Sequence, residues 1–194
     1  KNIIENNGTS IKPKIEPNIV SEELEVTQGK LNIGLLCNIK DKNIATMYNM
    51  VLGGGANSKL FKNVREKASL AYTVSSRYIK LKNAMIIRAG IELNNYDKTI
   101  EIIKRQLDDM KNGNITEEEF KSAKQLILSS IKLIPESQEE MLWFTFMQEI
   151  TDENLSVEQY YKNIEKVTKE QVIEEAKNVS IDTIYFLKNY EDKK

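Results

Sequence analysis

The run Gly53-Gly54-Gly55-Ala56-Asn57-Ser58-Lys59-Leu60-Phe61-Lys62-Asn63-Val64-Arg65-Glu66-Lys67-Ala68-Ser69-Leu70-Ala71-Tyr72-Thr73-Val74 passes from one helix to another and then to a strand. Asp41 opens the first helix, in which Ile44, Met47, Tyr48, Val51 and Leu52 recur at helical spacing. The glycine triplet ends it and frees the backbone to turn sharply and to approach another chain closely. Asn57 or Ser58 can cap a second helix, with Leu60, Phe61 and Val64 turned inward. Residues 70–79 are rich in β-branched and apolar side chains and predict a strand. The triplet lacks the lysine and following hydroxyl of a phosphate-binding loop. Taken alone it is as compatible with a plain helix–helix connector as with a binding loop.

The flanking sequence extends the pattern. Upstream, Leu24-Glu25-Val26-Thr27-Gln28 alternates like a strand, and Leu31, Ile33, Leu35 and Cys37 share one face of the next. Downstream, residues 84–93 read as a strand, with Lys82-Asn83 fitting a hairpin turn. A helix follows Asn94, with Ile100, Ile103, Leu107 and Met110 on one face and Gly113 closing it. Thr116 with Glu119 makes a capping box for a helix that buries Phe120, Ala123, Ile127 and Ile131. Pro135 breaks that helix, and Ser137 with Glu140 restarts it into Met141-Leu142-Trp143-Phe144. Ser156 with Gln159 and Thr168 with Gln171 mark two more capped starts, and Ile181 to Leu187 is a last strand. Strands joined by a short turn must be antiparallel. Helices come in runs instead of alternating with strands, so the fold class is α+β: a mostly antiparallel sheet covered on one face by helices.

Composition narrows the chemistry. The chain has 194 residues, 28 basic and 29 acidic, for a formal net charge of −1. That balance gives no reason to expect nucleic acid or an anionic membrane as a partner. No apolar run approaches the roughly 18 residues that cross a bilayer. Residues 1–21 are polar, carry Pro13 and Pro17 and show no signal-peptide core; they read as a linker or tail ahead of one domain over 22–190. The single cysteine, Cys37, forbids an intrachain disulfide, fits a reducing and so cytoplasmic setting, and reads as a small buried hydrophobe. There is no histidine. A catalytic zinc site normally needs two or three imidazoles and a Ser-His-Asp or Cys-His site needs one, so this chain alone can build neither. The acidic run Glu117-Glu118-Glu119 sits where a helix macrodipole favours it and is not read as a metal site.

Residues 53–74 resemble the second-domain signature of the insulinase, pitrilysin and mitochondrial processing peptidase family. There a glycine-rich loop leads to a Ser-x-Leu-Phe helix carrying Val-Arg-Glu, then to Leu-Ala-Tyr at the start of a strand. Val26-Thr27-Gln28, Ile115 to Phe120 with Ala123-Lys124, and Val167 to Val172 agree with other parts of the pattern. The resemblance covers roughly residues 22–188. It implies a LuxS/MPP-like metallopeptidase half-domain, the half without zinc. In that family the homologous half carries the inverted zinc motif H-x-x-E-H, and the opposing half supplies an arginine and a tyrosine to the peptide near the metal. Arg65 and Tyr72 match those two positions, and the loop Gly53, Gly54, Gly55 is expected beside the substrate. The implied cofactor is zinc in the partner half only; the implied partners are that zinc-bearing half and a peptide substrate. Trp143, Phe144 and Phe146 are then core or a contact with the other half. The alternative within the same fold is a non-catalytic structural or assembly subunit.

The residue types suit the implied role. Amide hydrolysis builds negative charge on the scissile carbonyl oxygen, and one preorganised donor there lowers the barrier by roughly 3 kcal/mol. A guanidinium and a phenol are both donors. Against this, Arg65 can equally be a solvated helix charge or a partner of Glu66, and Tyr72 an aromatic packed in the sheet.

Overall fold

The computed structural model describes residues 16–190. The sheet is built around β2 (Gly29–Cys37), whose Leu31, Ile33, Leu35 and Cys37 are buried as the period-two alternation predicts. β4 (Ala84–Ile91) and β5 (Val179–Lys188) flank it, both antiparallel. β3 (Ala71–Ile79) pairs antiparallel with β4 and forms one edge. β1 (Asn18–Glu23) pairs parallel with β5 and forms the other, giving the order β1-β5-β2-β4-β3. The β3–β4 hairpin turns where the sequence predicts, with Asn83 left-handed at φ 45° closing a short turn over Lys80–Lys82. The fold class is the one expected: α+β, with a mostly antiparallel sheet.

The N-terminal end differs from expectation. Residues 24–28 are not a strand; the strand lies at Asn18–Glu23 and begins inside the segment that reads as a tether. All six of its residues are exposed, so there is no alternating apolar face to detect. Its hold is the backbone ladder with β5, a hydrogen bond from the Tyr185 hydroxyl to Glu22 (2.6 Å) and an ion pair of Lys188 with Glu23 (3.0 Å). The remainder of the expected tether, residues 1–15, lies outside the described residues.

Helices cover the inward face. In α1 (Lys42–Gly53), Asp41 accepts from the Asn43 and Ile44 amides, and Met47, Tyr48, Val51 and Leu52 are buried. α2 (Tyr96–Lys111) buries Ile100, Ile103, Leu107 and Met110. Beyond it Gly113 takes φ +78°, a conformation glycine adopts freely. α3 (Glu117–Leu133) starts with the Thr116–Glu119 capping box; α5 (Val157–Lys166) and α6 (Lys169–Glu175) start with the Ser156–Gln159 and Thr168–Gln171 boxes. Pro135 lies in the single-turn break before α4 (Gln138–Thr151), which Ser137 caps. α4 contributes no buried residue: Leu142 is 70% exposed, Trp143 55% and Phe146 50%. Of the two readings of that aromatic cluster, core is excluded.

Candidate active-site cleft

The second helix of the glycine segment is a π-helix, Phe61–Lys67, where the sequence predicts an ordinary helix. Such wide turns are rare and concentrate at functional sites. Leu60 and Val64 point into the core, and the surrounding polar groups pin the turn. Ser58 accepts from the Phe61 amide at 3.4 Å. Lys59, buried, donates to the Asn114 carbonyl and ion-pairs with Glu119 at 3.1 Å. The Asn63 amide donates to the Lys59 carbonyl (2.9 Å) and to Gln106 (2.7 Å), tying the turn to α2. Removing one partner of the Lys59–Glu119 pair would strand a buried charge, which is why such pairs hold geometry even when they add little net stability.

The chain leaves the π-helix through a tight reversal. The Leu70 amide donates to the Val64 carbonyl at 3.0 Å, and Ser69 is left-handed at φ 53°. β3 then begins with an irregularity: Ala71 lies opposite Ile91 but Thr73 lies opposite Gly90, making Tyr72 the extra residue of a bulge. A bulge breaks alternation and re-aims a side chain. Tyr72 and Thr73 accordingly both face out, while Ala71, Val74 and Ser76 are buried.

Reversal and bulge together bring Arg65 and Tyr72 to one open cleft of about 340 Å³, with Ser69, Leu70, Ala71, Glu92 and Asn95. Arg65 is exposed, with its guanidinium 4.8 Å over the Phe61 ring. It makes no ion pair with Glu66 or any other carboxylate among the described residues. Tyr72 is half exposed and is not packed in the sheet; its hydroxyl donates to Glu92 at 2.8 Å. That hydrogen bond raises the phenol above the usual tyrosine range. The cleft thus presents a permanent cation and a protonated phenol side by side, a pair of donors suited to an anionic oxygen.

Glu92 was not foreseen from the sequence, although the signal exists. Counting the hairpin register back from Asn83 places Tyr72 beside the end of β4, and Glu92 follows Ile91 directly.

The glycine triplet is placed differently from expectation. None of Gly53, Gly54 and Gly55 has positive φ, so no sharp turn requires them. The requirement is space. A Cβ on Gly53 would lie 2.7 Å from the Ser76 amide nitrogen and 2.9 Å from Leu60, and one on Gly54 would lie 2.7 Å from the Met50 Cα. None of the three lines the Arg65–Tyr72 cleft; Gly54 borders a larger groove farther along β3.

Among the described residues no group of His, Cys, Asp or Glu is placed to hold a metal. Cys37 is fully buried and its thiol is pushed up to about 11 by that burial, which suits neither a ligand nor a nucleophile. Glu117, Glu118 and Glu119 open α3 as expected, with Glu119 spent on its capping box and Lys59. No helix among the described residues is long and apolar enough to cross a membrane.

Residues 3–127 match the family model described as peptidase M16 inactive domain. The chain is 36% identical over 193 residues to the probable inactive metalloprotease YmfF of Bacillus subtilis (strain 168), covering 97% of this chain and 45% of that protein. It is 29% identical over 131 residues to the uncharacterized zinc protease YmxG of the same organism, covering 65% of this chain and 32% of that protein. The chain therefore spans less than half the length of these relatives. A conserved protein from Enterococcus faecalis V583 superposes with TM-score 0.86 at 26% identity, over 95% of this chain and 44% of that one. A peptidase M16 inactive domain from Pseudomonas fluorescens superposes with TM-score 0.76 at 21% identity, over 92% and 45%. On the family match, the 36% identity across 97% of this chain and the shared fold, this chain is a member of the peptidase M16 inactive-domain family.

Proposed function

We propose that this chain is the substrate-binding half of a zinc-dependent peptidase, and that Arg65 and Tyr72 contact the peptide beside a zinc ion held by a homologous half. The observation that carries this reading is the cleft itself. A π-helix, a left-handed Ser69 and a bulge at Tyr72 together bring to one opening two donors seven positions apart in sequence. Local strain and irregular backbone persist where the surrounding structure over-determines them, and they cluster at functional sites. The chain has no histidine and no metal-binding group among its described residues, which supports assigning the metal to the other half.

In this reading the Arg65 guanidinium binds the scissile carbonyl oxygen as charge develops on it. The Tyr72 hydroxyl, parked on Glu92 in the free chain, turns to donate to the same oxygen. Glu92 holds the hydroxyl by that hydrogen bond until then. The glycines act through packing: Gly53 seats α1 against β3, and only Gly54 borders a groove that a longer peptide can reach. A reducing, cytoplasmic setting is part of the proposal and is supported by the lone buried thiol.

The test uses the parent enzyme with both halves. Arg65→Ala and Tyr72→Phe should each lower kcat/KM by about a hundredfold, roughly 3 kcal/mol of transition-state stabilisation, with the fold intact. Unchanged kinetics in both variants would remove the assigned role. The isolated chain should retain no stoichiometric zinc after dialysis and cleave no peptide. A second reading, a non-catalytic assembly subunit, is favoured by the word "inactive" in the name of the 36% identical relative. Chelator-sensitive cleavage that needs this chain supports the first reading; a parent silent over a broad peptide library supports the second.

A further inference from the structure

Arg65 and Tyr72 share one cleft but are held there in different ways. Tyr72 is held by its hydrogen bond to Glu92, which has to break before the hydroxyl can turn to another oxygen. Arg65 is held by a ring. Its guanidinium lies 4.8 Å over Phe61, four positions earlier in the same π-helix, a spacing that puts two side chains on one helix face. Among the described residues it has no ion-pair partner and no hydrogen-bond acceptor.

The difference is chemical. A carboxylate beside Arg65 would fix it by accepting its N–H groups and neutralising its charge. An aromatic ring does neither. It attracts the cation through its negative face and leaves the five guanidinium N–H donors free. An arginine on a helix surface otherwise samples many rotamers, so a ring beneath it narrows that freedom without using what an anionic oxygen needs.

Phe61 is placed to be such a platform. It is half-buried and stands outside the buried core. It opens the π-helix, its amide donates to the Ser58 hydroxyl, and its neighbour Leu60 is fully buried. It does not line the cleft itself. A similar pair elsewhere shows the contrast: Lys124 lies 5.1 Å over Phe120, but donates to the carbonyls of Glu165 and Val167. Arg65 donates to nothing.

We propose that Phe61 is a positioning residue, whose ring holds the Arg65 guanidinium in the cleft with every donor free for a substrate carbonyl oxygen. The proposal rests on the reading of the Arg65–Tyr72 cleft as the peptide site.

Two measurements separate the contact from its use. The first is nuclear magnetic resonance of this chain with isotope-labelled arginine, the Arg65 side-chain signal being assigned by its loss in Arg65→Lys. A proton held over a ring face resonates upfield. The Arg65 signal should be upfield in the wild type, stay so in Phe61→Tyr and return to the position of a free arginine in Phe61→Leu, with circular dichroism unchanged. The second is cleavage by the parent enzyme with both halves. Phe61→Leu should lower kcat about two- to fivefold, as loss of an exposed cation–π contact does, with KM little changed. Phe61→Tyr should retain kcat, and a ring-fluorinated phenylalanine at this position, similar in shape but with a weakened negative face, should lower it in part. In the Arg65→Ala background Phe61→Leu should cause no further loss, whereas a merely structural role gives additive losses. An unshifted Arg65 signal in the wild type, full kcat in Phe61→Leu, or additive losses in the double variant overturns the positioning role. A ring-shifted Arg65 signal beside unchanged cleavage by Arg65→Ala overturns it through the cleft reading instead, with the Phe61–Arg65 contact itself intact.

Discussion

Helices α1 and α4 are similar in length and both rich in apolar residues, yet they live in opposite surroundings. α1 buries Ile44, Ala45, Met47, Tyr48, Val51, Leu52 and Gly53 between β3 and the other helices. α4 buries nothing and turns Leu142, Trp143 and Phe146 to solvent. Apolar content alone does not separate them. What separates them is packing: α1 sits against β3, α3 and α6, whereas α4 follows the Pro135 break and only borders the groove at β3 through Trp143 and Met147. One side of this half-domain is sealed, and the side carrying the cleft and the groove is open.

The strongest way to break that contrast is to truncate one leucine from each helix. Leu52→Ala should cost about 2–5 kcal/mol, the usual cost of a core cavity. Leu142→Ala should stay within about 0.5 kcal/mol, as exposed substitutions do. Denaturant unfolding of the two variants checks both values, and equal losses would mean that α4 is covered after all. Next in size is the seam between α1 and β3. Gly53→Ala pushes a methyl group against the Ser76 backbone and should destabilise by about 1–3 kcal/mol. Gly55→Ala meets two flexible side chains, the Leu126 tip at 3.1 Å and the Met50 Sδ at 3.9 Å, and should cost much less.

The smallest effect is a pH dependence inside the sealed side. Cys37 is fully buried near Tyr48 of α1, and its thiol is raised from 9.0 to about 11, chiefly by that burial. The unfolded chain therefore loses this proton first. The contribution to stability is fully present below pH 9 and is lost as pH rises towards about 11. Unfolding midpoints across that window should fall in the wild type and fall less in Cys37→Ala. At neutral pH a thiol reagent should label Cys37 only after unfolding, while a soluble quencher should reach Trp143 in the native state.

Much of the sealed side was legible in the sequence. The alternation of β2, the hairpin at Lys82-Asn83, the capping boxes of α3, α5 and α6 and the inward faces of α1 and α2 all express short-range rules. The open side was less legible. β1 has no buried face and so no pattern. The π-helix uses ordinary helical residues, and its width is set by contacts of Lys59 and Asn63 with groups more than forty positions away. The bulge at Tyr72 depends on how β3 meets β4, and it is that register which brings in Glu92. Arg65 and Tyr72 themselves stood out only through family resemblance, because a lone arginine and a lone tyrosine carry no periodic signal. Of the two reasons the glycine triplet was conspicuous, the sharp turn is absent, and the close approach is to the chain's own Ser76, Leu60 and Met50.

The parallel pairing of β1 on β5 also sets a timetable. Glu22 and Tyr185, joined across that pair, stand 163 positions apart. Of the five strands described, β1 is made first, yet its strand partner among the described residues is the last of the five. At about 5–20 residues per second, Ile19 and Val20 wait unpaired for roughly 10–30 s. Every other strand neighbours a segment made before β5. Closure of this sheet edge is therefore the last strand pairing of this sheet to form, and until then the nascent protein exposes an unfinished β-strand to whatever else is folding nearby.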